Sequence, residues 1–253
     1  MGLAHAKSNR TLTSREPNNM SGFLASVNNL QDAIIVSQNG ADIIDLKEPS
    51  QGALGGLSTH TIQTVVDHLW ETSVVSATVG DLEADITLIL DRIEAVADTG
   101  VDYVKVGMFS QRHIEHCLPS FAYHARRGVK IIAVLFADLE FDMLAAIHAC
   151  KQARLCGVML DTAGKKSGSL RQHRSLEELI QFVSSAQQLG LLTGLAGSLR
   201  AQDIATLMPL EADYLGFRTA LCRDQVRTAA ISECAVKDIR SRIQRDLSHV
   251  QHA

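Results

Sequence analysis

The segment KIIAVLFADLEFDMLAAIHACKQARLCGVMLD (Lys130–Asp161) contains the repeating unit of this chain. It opens on a short apolar run, Lys130–Phe136, continues as a helical pattern from about Phe141 to Arg154, and closes on a second apolar run, Gly157–Asp161. Two short apolar strands bracketing one helix make a βαβ unit, and strands joined in that way are parallel.

The same rhythm extends in both directions. Towards the N-terminus, FLASV (Phe23–Val27) reads as a strand, followed by a helix that stops at Gly40, a residue suited to the position just past a helix end. DIIDLK (Asp42–Lys47) is the next strand, with a Gly-rich loop and a helix from about Thr59 to Trp70. VVSATV (Val74–Val79) precedes a helix from about Glu83 to Asp98, and YVKVGM (Tyr103–Met108) precedes one running to about Arg127. Beyond Asp161 come a basic loop, a helix from about Leu176 to Leu189, the strand LTGLAG (Leu192–Gly197) with a short helix, and YLGFR (Tyr214–Arg218) with a long terminal helix.

About eight βα units with no break in composition predict a single (β/α)8 TIM barrel over residues 21–253. The alternative is a doubly wound open sheet, which usually carries GxGxxG after its first strand; SVNNLQDA stands there instead. Residues 1–20 are polar, include Pro17-Asn18-Asn19 and lack an apolar secretory core, so they are expected to be a disordered extension.

Composition narrows the function. The chain has 253 residues, 46% of them apolar, and a formal charge of -4 with no basic run, which argues against nucleic-acid binding. No stretch reaches the roughly 20 apolar residues of a membrane helix, so no membrane association is expected. Five cysteines without a CxxC pair suggest free thiols and a reducing, cytoplasmic location.

Barrel active sites sit at the C-terminal ends of the strands. That rule collects Asp45 and Lys47 from strand 2, Lys105 from strand 4, Asp138 near the end of strand 5, and Asp161 with Lys165 and Lys166 from strand 6 and its loop. Asp45 and Lys47 are two apart and share a strand face. Lys105 lies between Val104 and Val106, where an amine is costly unless paired or used. A lysine desolvated beside other cations becomes a neutral amine able to form a Schiff base, with carboxylates as proton carriers. Lys105 fits a phosphate ligand equally well, and Lys166 reads as a solvated loop residue. After strands 7 and 8, Gly197, Ser198, Gly216 and Arg218 form a candidate phosphate site from backbone N–H groups, a hydroxyl and a guanidinium. His113 and His116 are spaced for a metal but lack a carboxylate cluster, so they read as residues of a solvated helix and no metal is expected. The Gly52–Leu57 segment reads as a mobile loop able to cover a substrate.

At these residues the chain resembles a known family. ADIIDLKEPSQGALGG, VSATVGD, DYVKVGMF, MLDTAGKKSGSL, LAGSL and LGFRTALC are similar to segments of the (5-formylfuran-3-yl)methyl phosphate synthases, also called 4-(hydroxymethyl)-2-furancarboxaldehyde-phosphate synthases. The resemblance spans about Ala41–Cys222 and implies a class I aldolase-like TIM barrel. It also implies condensation of two molecules of glyceraldehyde 3-phosphate, one by way of dihydroxyacetone phosphate, to a phosphorylated furan aldehyde for methanofuran, a one-carbon carrier. No cofactor is implied. The resemblance makes Lys47 the Schiff-base lysine beside Asp45 and matches Lys105, Asp161 and Lys165 to family positions. A homo-oligomer is expected. After Cys222 the stretch Arg223–Arg227 departs from the Gly-rich segment of archaeal members; Arg227 is within reach of a phosphate there but is not counted among the expected site residues. A simple Schiff-base sugar-phosphate aldolase and a non-catalytic phosphate-binding barrel are the competing readings.

Overall fold

The computed structural model describes residues 21–82, 85–164 and 168–250. Eight parallel strands close into a barrel in sequence order. They are β1 (Gly22–Val27), β2 (Ile43–Leu46), β3 (Val74–Thr78), β4 (Tyr103–Met108), β5 (Ile131–Phe136), β6 (Gly157–Asp161), β7 (Leu192–Leu195) and β8 (Tyr214–Phe217). The barrel expectation is therefore met. The expected extension 1–20 and Lys165 lie outside the described residues.

Most crossovers are amphipathic helices started by a side-chain cap. Asn29 caps α1 (Leu30–Gln38), Ser58 caps α2 (Thr59–Leu69), Asp85 caps α3 (Ile86–Ala97) and Asp142 caps α5 (Met143–Gln152), each accepting a hydrogen bond from an otherwise orphaned backbone N–H. Gly40 follows α1 with φ +86°, the left-handed conformation its missing Cβ permits. Ser175 and Glu178 form a reciprocal capping box on α7 (Leu176–Gln188).

The crossover after β4 differs from the expected continuous helix. It is a π-helical turn (His113–Cys117), a 3-10 turn (Leu118–Phe121) and then the short α4 (Ala122–Arg126). Pro119, which has no N–H to give to a preceding carbonyl, stands at the change of winding. Short helices α6 (Leu170–His173) and α8 (Ile204–Leu207) precede and follow α7 and β7 respectively. After β8 the chain does not enter its last helix directly. Thr219–Ser232 forms a strap, closed by an antiparallel bridge between Cys222 and Ile231, before α9 (Glu233–Val250).

Two cores share the strands. Outward residues such as Phe23, Ala25, Ile44, Val104 and Ala133 pack under the helices and are buried. Inward residues such as Leu24, Ile43, Tyr103, Val134, Phe136 and Met159 fill the barrel. Period-two alternation thus places every inward side chain of β2 and β4 in one column: Ile43 and Asp45, then Tyr103 and Lys105. That column carries the site.

Candidate active site

Register sets the first layer of the site. Ser26 lies opposite Asp45, and Asp45 opposite Ser76, so three polar side chains from β1, β2 and β3 meet inside the barrel. Asp45 is fully buried. Its Oδ2 accepts from the Ser26 hydroxyl at 2.9 Å, and its Oδ1 accepts from Ser76 at 2.7 Å and from the Lys105 ammonium at 2.9 Å. Burial pushes the Asp45 carboxyl up, but Lys105, Lys47 and the Lys105 and Ser76 hydrogen bonds together outweigh it and hold the group below its ordinary value. Asp45 is therefore an ionised carboxylate locked between two hydroxyls and an amine.

Lys47 occupies the next inward position, just past the end of β2, and its Nζ lies 3.5 Å from Asp161 Oδ2 at the end of β6. Both side chains are buried. Desolvation drives the Lys47 amine below its ordinary value; Asp161 and Asp45 oppose the shift, while Lys105 and Arg227 add to it. The net effect favours the free amine, the nucleophilic form. Asp161 also takes its neighbour's N–H, from Thr162 at 2.7 Å, which orients the carboxylate.

Four of the expected residues, Asp45, Lys47, Lys105 and Asp161, thus come together. Asp138, just past β5, anchors backbone. Its two oxygens accept the N–H groups of Ala163 and Gly164 at 2.8 and 2.7 Å, so it holds the loop that leads to Lys165.

The candidate phosphate residues divide in the same way. Gly197 and Ser198 turn back at the mouth with φ +106° and +51°. A Cβ on Gly197 would stand 2.9 Å from the Thr162 methyl, and a non-glycine residue such as Ser198 in the left-handed region stores strain of about 1–2 kcal/mol. Among the described residues, the N–H groups of Gly197 and Ser198 form no hydrogen bond. Gly216 is inward, and a Cβ there would meet Met159 at 3.0 Å and Ala196 at 3.1 Å, so its smallness serves the barrel core. Arg218 is buried, with its donors committed: Nε to Arg227 O at 3.0 Å, one terminal nitrogen to Ser26 O at 3.1 Å and the other to Ala229 O at 3.3 Å. It fastens the strap to the barrel, where the sequence had suggested an anion fork.

Arg227, which the sequence places within reach of a phosphate, is not among the expected site residues. It lines the pocket at the barrel mouth with Lys47, Lys105 and Asp161 and with all four candidate phosphate residues, Gly197, Ser198, Gly216 and Arg218. Two further expectations change. The Gly52–Leu57 loop is pinned rather than loose: Ala53 and Leu54 donate their N–H groups to the Asp81 carboxylate, each at 2.6 Å, and both side chains are buried. His113 is buried, with Nδ1 2.9 Å from Ser110 Oγ and Nε2 3.3 Å from Leu82 O, while His116 is exposed as expected.

Among the described residues no group of three or more His, Cys, Asp or Glu side chains is placed to hold a metal ion, and no helix is long and apolar enough to cross a membrane. The five cysteines are free.

Comparison with known proteins finds relatives over most of the chain. The family model described as 4-HFC-P synthase matches residues 23–240. A Methylorubrum extorquens protein provisionally named (5-formylfuran-3-yl)methyl phosphate synthase is 36% identical over 216 residues, 85% of this chain and 88% of its own. The (5-formylfuran-3-yl)methyl phosphate synthase of Methanopyrus kandleri is 33% identical over 210 residues, 79% of this chain and 89% of its own. Among solved structures, phosphoribosyl anthranilate isomerase from Thermotoga maritima is similar with a TM-score of 0.65 at 13% identity, over 89% of this chain and 100% of its own, a likeness of fold.

Proposed function

The chain belongs to the 4-HFC-P synthase family, a family of enzymes, and from that premise we propose that it condenses two molecules of glyceraldehyde 3-phosphate to (5-formylfuran-3-yl)methyl phosphate through a Schiff base on Lys47. The observation that carries the reading is the buried amine of Lys47 beside Asp161 in the pocket at the barrel mouth.

One triose phosphate isomerises to its ketone, dihydroxyacetone phosphate. The free amine of Lys47 attacks that carbonyl, water leaves and an imine forms. Asp161, 3.5 Å from Nζ, is placed to carry the protons of that step and to take the α-proton that turns imine into enamine. The enamine carbon attacks the second aldehyde. Loss of water, ring closure, release of the amine and loss of one phosphate complete the furan without any net oxidation. The Lys105–Asp45 pair forms the charged floor beneath these steps, its positive end facing developing negative charge on oxygen. Asp138 positions the loop of Lys165, which the family resemblance assigns to proton transfer. The open N–H groups of Gly197 and Ser198 are suited to one phosphate.

The test is incubation of the protein with glyceraldehyde 3-phosphate alone, with and without borohydride. A furan chromophore with the product mass, and a reduced adduct on Lys47, support the reading. Reversible aldol cleavage without dehydration would assign the site to a simple aldolase. Absence of any adduct, with activity retained in Lys47→Ala, would reject the imine.

A further inference from the structure

We propose that Arg227 is the guanidinium that recognises a phosphate monoester of the substrate, and that Arg218 is its positioning residue. The proposal deepens the reading above and rests on it for the identity of the phosphate's carrier, a three-carbon carbonyl compound.

Three observations carry it. First, the Nε of Arg227 is buried yet has no hydrogen-bond partner among the described residues. A buried N–H donor left unmade costs about 1–3 kcal/mol, more when the group is charged, so such a donor inside a pocket calls for an acceptor. Second, the pocket it lines also holds Lys47, Asp161 and the open backbone turn at Gly197 and Ser198. A phosphate offers several acceptor oxygens, enough for the turn and the guanidinium together. Third, Arg227 is held from two sides. Arg218 Nε takes its carbonyl at 3.0 Å, and its own terminal nitrogen donates to Gly52 O at 3.4 Å, on the loop pinned by Asp81. Those contacts fix the guanidinium while leaving Nε–H unsatisfied.

The two arginines therefore have complementary tasks. Arg218 has spent three donor groups on carbonyls of β1 and the strap, and sits 3.8 Å from the Asp32 carboxylate. Its charge is paired with Asp32, and each of its three nitrogens already holds a backbone carbonyl. Arg227 is pushed below its ordinary value by burial, with Asp161 opposing, which describes a cation short of solvation. It also helps keep the Lys47 amine low. Because Arg227 joins the strap to the Gly52 loop, a phosphate on its Nε would sit at the seam between the two segments that roof the mouth. That places recognition of the non-reacting end of the substrate where it can also hold the roof shut during chemistry.

The experiment uses the full chain. Calorimetric titration with inorganic phosphate compares wild type, Arg227→Gln and Arg227→Lys. In parallel, borohydride trapping on Lys47 compares dihydroxyacetone phosphate with unphosphorylated dihydroxyacetone. Arg227→Gln is expected to weaken phosphate binding at least about tenfold and to slow trapping of the phosphorylated ketone, leaving the unphosphorylated one little changed. Arg227→Lys keeps the charge without the Nε–H and recovers part of the affinity. Unchanged phosphate affinity in Arg227→Gln, or equal slowing of both ketones, overturns the proposal, the second outcome marking a merely structural arginine. Should Arg227→Gln fail to fold, Arg227→Lys decides by the same titration, with unchanged affinity counting against. Wild type that binds no phosphate also overturns it. Failure of all trapping in wild type sinks the imine on Lys47 and leaves the phosphate titration to decide Arg227 on its own.

Discussion

The lower and upper halves of the barrel interior are built from the same strands and could hardly differ more in content. Below, Leu24, Ile43, Tyr103 and Met159 fill the space, and Met159 fits because Gly194 and Gly216 carry no side chain. Above, Asp45, Lys47, Lys105 and Asp161 are buried to within a few per cent exposure. The lower half follows the rule that cores are close-packed and apolar. The upper half buries charges whose desolvation is offset by each other and by a few hydrogen bonds, from Ser26 and Ser76 to Asp45 and from Thr162 N–H to Asp161. The difference teaches that this sheet stabilises itself at one end and tolerates an electrostatic cost at the other. Substitutions should then separate cleanly into those that lose activity without stability and those that lose stability first.

The largest separation is expected at Lys47. Lys47→Ala removes the nucleophile and should lower turnover of glyceraldehyde 3-phosphate by about 1,000-fold or more, while urea unfolding changes little, because relief of the amine's desolvation opposes the loss of Asp161's ion-pair partner, with Arg227 still nearby. The pH dependence of stability follows from burial. The folded-state amine lies below its ordinary value, so between the folded and unfolded values the unfolded chain binds the extra proton, and stability rises with pH there. Removing the group removes that cost. The same depression means that imine trapping should persist at pH values below those at which an ordinary lysine is fully protonated, and fall off once pH drops through the lowered value. A large loss of stability in Lys47→Ala would break the contrast.

Next is the Lys105–Asp45 pair. Lys105→Met leaves Asp45 ionised and buried, and should destabilise the fold by about 3–5 kcal/mol, read by urea unfolding at neutral pH. Asp45→Leu combined with Lys105→Met should restore most of that stability without restoring activity. For wild type the Asp45 contribution is fully present above the ordinary aspartate range and is lost as pH falls through its lower folded value. Equal stability of the single and double variants would show that the pair is not the buried unit its 2.9 Å contact describes.

At the lower end, Met159→Ala opens a cavity between Gly194 and Gly216 and should cost about 2–5 kcal/mol in unfolding free energy, with turnover per folded molecule falling far less than in Lys47→Ala although Met159 also borders the mouth pocket. Activity lost in proportion to nothing but Met159 would mean the two halves are coupled.

Much of this division was readable from residues alone. Strands buried on both faces show as continuous apolar runs, so YVKVGM and GVMLD were delimited correctly, and an amine inside the first had to be paired or used. Asp45 and Lys47 were placed on one face by spacing. Ser26 and Ser76 were missed, though each is a hydroxyl at an inward position of an apolar strand, a signal of the same kind. The two arginines were not separable in advance. Which of Arg218 and Arg227 keeps an unbonded nitrogen depends on where the strap puts its carbonyls, and that is set by contacts some two hundred residues apart, such as Arg218 to Ser26 O. Gly216 was ambiguous for a related reason, since a glycine that admits an anion and one that admits Met159 look alike in sequence. His113 reads as solvated in the sequence for want of a carboxylate cluster beside it, a sign that bears on metal binding and not on burial; in the fold the π turn before Pro119 packs it towards Ser110 and Leu82.

The smallest expected effect tests whether the roof belongs to the stable half or to the working half. Asp81 is largely exposed and carries two short hydrogen bonds from Ala53 and Leu54. Charge-assisted bonds to backbone N–H are strong in isolation, but water can replace an exposed acceptor, so Asp81→Ala should cost only about 1 kcal/mol of global stability, a fall in Tm of roughly 2–4 °C for a domain of this size. Locally the consequence should be greater. Leu54 is fully buried against the mouth, and without its anchor the Gly52–Leu57 loop would open in a sub-global step well before the barrel unfolds. Hydrogen exchange should therefore speed up at the amides of 52–57, with those of β4 and β5 unchanged, and KM for the triose phosphate should rise several-fold while kcat falls less. Exchange accelerating equally across the strands would place Asp81 with Met159 among the residues that hold the barrel itself, and the roof would no longer count as part of the site.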